Sequence, residues 1–118
     1  MSKLAILGSS GTSDPNRASL PFHIAANGAA ASGVEVIIIL AGDATELLRD
    51  GVAAGVQGLG IPPLAALFEK CAEANIPIHV CKGCAEARGV FQLGENQHFI
   101  SAADVVRLTL EADRVLSF

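Results

Sequence analysis

Val36-Ile37-Ile38-Ile39-Leu40 is a run of five large aliphatic residues with no polar position inside it. A strand that shows one face to water alternates apolar and polar residues, whereas a strand buried on both faces reads as an unbroken apolar run. Residues 34–40, β-branched over most of their length, therefore predict a parallel strand covered on both sides. Such a strand needs helices above and below it. It also needs parallel neighbours, which only long crossover connections can supply.

The rest of the chain reads accordingly. Residues 3–7 form a short apolar strand, closed by Gly8-Ser9-Ser10-Gly11-Thr12. A polar stretch through Arg17 leads into a helical segment that reaches about residue 32 and ends at Gly33. Pro21 lacks an N–H and clashes with the preceding turn, so the helix start is placed near Ser19, with that serine as cap and Pro21 in the tolerated first turn. Gly42-Asp43 stops the second strand, and Asp43 is positioned to cap a short helix over residues 44–49. Four glycines at positions 51, 55, 58 and 60 mark a flexible loop. Pro62-Pro63 opens a helix to about residue 74, with Leu64, Leu67, Phe68 and Cys71 at helical spacing as its buried stripe. Residues 76–80 are a third apolar strand. Cys81 begins a short helix through Arg88 that Gly89 can end in a left-handed cap. Residues 101–112 form a capped helix with Asp104 in its first turn, and residues 114–116 a last short strand. No repeat, low-complexity tract or linker interrupts the alternation. The expected fold is α/β: one doubly wound, three-layer domain over residues 1–118, with a mostly parallel sheet of about five strands and helices on both faces.

Composition narrows the function classes. The chain is 51% hydrophobic with a mean hydropathy of +0.47, and only 17% of its residues are charged, against roughly 25% in an ordinary soluble domain. A small domain with so few charges to cover its surface is expected to bury the excess apolar area against copies of itself. The net charge is −4, no Lys/Arg cluster occurs, and Trp and Tyr are absent. Direct nucleic-acid binding needs cations to displace counterions and often aromatic faces to stack on bases, so it is not expected. The longest apolar stretch is too short to span a membrane. The first strand begins at Lys3, which leaves no room for a secretion signal, and the cytoplasm is the default compartment.

Two of the three cysteines lie as Cys81-Lys82-Gly83-Cys84, and in a reducing compartment that pattern points to chemistry or metal. In open α/β sheets chemistry gathers at the carboxyl ends of strands, where Cys81 stands. Unpaired N–H groups at the start of the next helix favour a thiolate, and Lys82 and Arg88 add cations, so Cys81 is expected to ionise more easily than an ordinary cysteine. Other readings stay open. Cys71, on its apolar stripe, reads as a small buried hydrophobe. A zinc site completed by His79 or His98 lacks a second CxxC pair, and no metal is expected. A thioredoxin-like redox pair would use the same spacing.

The segment Ile78-His79-Val80-Cys81-Lys82-Gly83-Cys84-Ala85-Glu86-Ala87-Arg88-Gly89 resembles the cysteine segment of the DsrE/DsrF-like family, with its YchN-like and TusD-like members. In that family an apolar strand ends in a cysteine, and a short Ala-rich helix ends in Arg-Gly. Asp14-Pro15 after the first strand, the Gly-rich loop leading into Pro62-Pro63, and residues 102–116 are similar as well. The resemblance implies a cofactor-free sulfur carrier. Its Cys81 would take the outer sulfur of a donor protein's persulfide and pass it to an acceptor thiol, within a trimer or hexamer. Cys84 has no fixed counterpart in the family. It could attack a persulfide on Cys81 and release sulfide, which would make the chain a thiol–disulfide or persulfide reductase, or it could be idle.

Two further features carry weaker signals. Gly8, Ser9, Ser10, Gly11 and Thr12 resemble an anion cradle, although neither a Walker A motif nor GxGxxG is present. The resemblance makes this loop a wall of the active-site cleft; a polar turn and a small-anion-binding module without catalysis are the other readings. His79 shares strand parity with Cys81 and could serve as its base. His23 and His98 carry no supporting pattern.

Overall fold

The computed structural model describes residues 2–118. The aliphatic run becomes the middle strand of five, and all of residues 36–40 are buried. The strands are β1 (Lys3–Gly8), β2 (Glu35–Leu40), β3 (Ile78–Cys81), β4 (Gln97–Ile100) and β5 (Arg114–Ser117), and they lie in the order β4-β3-β2-β1-β5 with every pairing parallel. The helices are α1 (Pro15–His23), α2 (Leu64–Glu73), α3 (Lys82–Ala87) and α4 (Ala102–Glu111).

This strand order decides which face each helix covers. From β1 to β4 every step goes the same way across the sheet. Right-handed crossovers therefore put the intervening helices on one face. The return from β4 to β5 runs the other way and places α4 on the opposite face. Side-chain parity agrees. Ile6, Ile38, Leu40, Ile78 and Val80 enter the larger core with Phe22, Leu64, Leu67 and Cys71. Ala5, Ile37, Ile39 and Ile100 point the other way, to Leu108 of α4. Burying each such Leu or Ile is worth about 1.5–3 kcal/mol, so the larger core carries most of the apolar stabilisation.

Helix α2 follows its predicted stripe, with Leu64, Leu67 and Cys71 buried and Phe68 set edge-on to Phe22 at 4.9 Å between ring centres. Helix α4 begins with a capping box. Ser101 Oγ accepts from Asp104 N at 3.3 Å, and Ser101 N donates to the Asp104 carboxylate at 2.9 Å.

Three expectations need correction. Helix α1 starts at Pro15 and not near Ser19. Asp14 is its cap, accepting from Arg17 N at 3.1 Å, and Pro15 stands at N1, where a missing N–H costs nothing. Ser19 is buried inside the helix and donates to Pro15 O at 2.8 Å, while Pro21 is tolerated in the interior, its ring against Gly8. The chain continues through a π-helical turn at Ile24–Ala29 and a 3₁₀ turn at Ala30–Ser32, and Gly33, at φ 75°, ends it as expected. Second, Asp43 caps nothing. It lies within a 3₁₀ helix, Gly42–Leu48, whose cap position is Ala41, and its carboxylate is turned to Arg88. Third, β4 is a strand where the sequence pattern marks no element. As an edge strand, with His98 exposed and Ile100 buried, it lacks the apolar run that marks its neighbours.

Candidate functional site

The carboxyl ends of β1, β2 and β3 bring three loops side by side. Ala41 N donates to Gly8 O at 3.0 Å, joining the first two. Gly11 lies so close to the second loop that an added Cβ would stand 2.6 Å from Asp43 O and overlap the Glu46 carboxylate, which is why only glycine fits there. Thr12 donates twice to Glu46, through N at 2.8 Å and Oγ1 at 3.0 Å. Ser9 donates to Phe118 O through both N and Oγ, each at 3.0 Å. The segment of Gly8, Ser9, Ser10, Gly11 and Thr12 is thus fixed against the second loop, which lies between it and the third, with the donors of Ser9 and Thr12 engaged within the protein.

The third loop carries the two thiols. Cys81 is the last residue of β3 and the cap of α3, and Cys84 stands in the first turn of that helix; both are free and half-buried. The Arg88 guanidinium donates to one Asp43 oxygen from Nη2 at 2.8 Å and Nε at 3.2 Å, and from Nη1 to Cys84 O at 3.0 Å. Arg49 holds the same residue from behind, donating to Arg88 O at 2.9 Å. Cys84, Arg88 and Asp43 therefore form one connected cluster, with Cys81 beside it.

The electrostatics reverse one expectation. The neighbouring Cys84 thiol raises the Cys81 pKa, and the main chain of Cys84 and Gly83 only partly opposes it. Cys81, then the Gly42 main chain and the Arg88 cation, lower the pKa of Cys84. Of the two thiols, Cys84 is the one whose ionised form the surroundings favour. Cys71 behaves as the sequence suggests: it is sealed in the core, and burial pushes its thiol from 9.0 up to about 11.

His79 is not brought to this cluster. It shares parity with Cys81, but its ring lies 5.8 Å from His98, and its Nδ1 is buried without a hydrogen-bond partner. Lys82 is exposed on α3. Burial, then the His98, Arg107 and Lys3 charges, hold the His79 pKa below 6.5, with Asp104 opposing. A histidine with a depressed folded-state pKa adds stability that is complete above its unfolded value of roughly 6.5 and is lost as the pH falls through the folded value. Denaturant midpoints measured by circular dichroism are therefore expected to drop between pH 7.5 and pH 5, and His79→Asn should flatten that slope. An unchanged slope in the variant would assign the acid sensitivity elsewhere.

Asp43, Gly42 and Glu46 complete the site, and no motif in the sequence marks them. Their only signal is their place immediately after β2, the strand beside β3.

The family model described as the DsrE/DsrF-like family matches residues 2–118. No curated protein matches the chain. Among solved structures, the YchN protein from E. coli is similar at a TM-score of 0.76 and 22% identity, covering 100% of each chain. A conserved protein of unknown function from Bacteroides thetaiotaomicron is similar at 0.70 and 20% identity, over 98% of this chain and 94% of that one. Likeness at these identities concerns the fold.

Proposed function

The chain belongs to the DsrE/DsrF-like family, and from that premise we propose that it is a sulfur carrier on which Cys81 accepts the outer sulfur of a persulfide and yields it to an acceptor thiol. The observation that carries this reading is the half-exposed Cys81 at the carboxyl edge of the sheet, capping α3, with Cys84 in the first turn of that helix and tied through Arg88 to Asp43. Cys84 then acts as the base. As Cys81 Sγ attacks the outer sulfur of a donor R–S–SH, its proton passes to the Cys84 thiolate. A new S–S bond forms to Cys81, the donor's S–S bond breaks, and R–S⁻ leaves. No net oxidation occurs, so this step calls for no cofactor. In delivery an acceptor thiolate takes the outer sulfur, and Cys81 departs as a thiolate.

The placement of Cys84 one turn after Cys81 in α3 also favours a second reading. Once Cys84 has lost its proton again, it can attack the inner sulfur of the Cys81 persulfide. A Cys81–Cys84 disulfide forms and HS⁻ leaves, the two thiols being oxidised as the sulfane sulfur is reduced. That is the persulfide reductase.

Donor and acceptor proteins are the partners this reading implies, in the cytoplasm, and a homo-oligomer, trimer or hexamer, belongs to it too. Support for assembly comes from α4, among the described residues the lone helix on its face, where Val106 is 58% and Leu110 80% exposed and where exposed Val115 of β5 shares the face through its pairing with Ala5. No helix among the described residues is long and apolar enough to cross a membrane.

Incubation with a persulfide or thiosulfate donor, followed by mass-spectrometric mapping, separates the two readings. Transferable sulfur on Cys81 that is still loaded, though more slowly, in Cys84→Ser supports the carrier. Sulfide release with an obligatory Cys81–Cys84 disulfide supports the reductase. No adduct with any donor sinks both.

A further inference from the structure

We propose that Asp43 is a positioning residue for the thiol pair: through Arg88 it fixes a cation against the first turn of α3, beside the Cys84 sulfur. This deepens the reading of the Cys81–Cys84 site and rests on it. The geometry gives Asp43 that role. An arginine side chain has several rotatable bonds and many solvated poses, and holding one of them costs conformational entropy. Here two nitrogens of Arg88 converge on a single Asp43 oxygen, at 2.8 and 3.2 Å, while the third is left to reach Cys84 O at 3.0 Å. Asp43 can do this because Gly42, at φ 57°, turns the chain sharply after β2, and because buried Thr45 ties the turn by donating to Gly42 O at 2.8 Å. The Gly42 main chain itself lowers the Cys84 pKa. One turn therefore supplies both this main-chain effect and, one residue later, the carboxylate that holds the cation.

The charges around the pair make the inference testable by its sign. Arg88 acts on Cys84, Asp43 and Glu46 of the 3₁₀ helix act on Arg88, and Lys82 and Glu86 lie exposed on α3. Asp43 is itself an anion. Were it only a nearby charge, neutralising it would relieve repulsion and make Cys84 ionise more easily. Were it the anchor of Arg88, neutralising it would release the cation and make Cys84 ionise less easily. The two roles move the thiol in opposite directions.

The experiment compares wild type, Asp43→Asn and Arg88→Gln in iodoacetamide labelling across pH, with Cys84 followed by peptide mass spectrometry. A positioning role predicts that the labelling midpoint of Cys84 rises in Asp43→Asn. The rate at pH 7 then falls roughly three- to tenfold, about half to one unit of ionisation in a screened site. Arg88→Gln should act in the same direction, and Asp43→Asn should add little to it in the double variant. A midpoint that falls or stays put in Asp43→Asn overturns the inference. The labelling needs no sulfur donor, so Asp43 can pass this test even if the chain carries no sulfur, and can fail it while Cys81 still loads. Unchanged circular dichroism and melting temperature keep a folding defect from imitating either result.

Discussion

The Cys81→Ser variant is expected to carry no sulfur: loading from a persulfide donor falls by on the order of a hundredfold or more, to background, while the fold is kept. Sulfur acceptance needs an atom that is nucleophilic, reachable and able to stay bonded to another sulfur. A serine hydroxyl at position 81 is reachable but does not ionise near neutral pH and forms no stable bond to sulfane sulfur. Cys81 is only half-buried and packs in no core cluster, so the exchange removes little apolar contact. Sulfur transfer by a radiolabelled or mass-tagged donor gives the loading, and thermal melting gives the stability. Cys84 makes the result informative. Its pKa is lowered where that of Cys81 is raised, so it is the natural substitute if the chemistry does not depend on Cys81. Wild-type loading that moves to Cys84 would transfer the carrier role to that residue.

The largest effect on stability is expected at Phe22. Its side chain is fully buried between α1 and α2, it meets Phe68 edge-on, and its carbonyl accepts from the Cys71 thiol at 3.9 Å. Phe22→Ala removes the ring from a face on which most of the apolar burial lies. The loss is about 3–5 kcal/mol, cavity included. A domain of this size is stable by only about 5–15 kcal/mol, so the variant should melt well below wild type or fail to accumulate. Chemical denaturation checks the figure. A loss under about 1 kcal/mol would mean that α1 packs more loosely than its burial implies.

The sheet is legible in the sequence because an unbroken β-branched run fits little else than a strand covered on both faces. Its neighbours β1 and β3 are legible for a related reason. What escapes are features whose signals point two ways. Pro21 argues against a helix interior, and only the packing of its ring on Gly8 shows how the interior accommodates it. Asp14-Pro15 is a good helix start, yet Pro21 six residues later pulls the expected start toward Ser19. The residues of β4 are half polar because an edge strand has water on one side. At the site, spacing picks out Cys81 and Cys84, and Arg88 stands out at the end of the same short helix. The order in which the two thiols ionise has no such signal. Part of that order rests on Gly42, which acts on Cys84, and on Asp43, which holds Arg88; both are far away along the chain and near only because β2 lies next to β3. Sequence spacing reports local geometry well. It says little about which loop of another strand leans on a side chain.

The position of β5 has a bearing on biosynthesis. It pairs with β1, so one side of β1 is satisfied only by residues 114–117, far later in the chain, with Leu4 opposite Arg114 and Leu7 opposite Ser117. Until residues 114–117 emerge, β1 presents open hydrogen-bonding groups to whatever strand is near, and translation that stalls within this stretch leaves a nascent chain with a sticky flank. A chaperone that shields early β-structure would therefore be engaged from the emergence of β1 until that of β5.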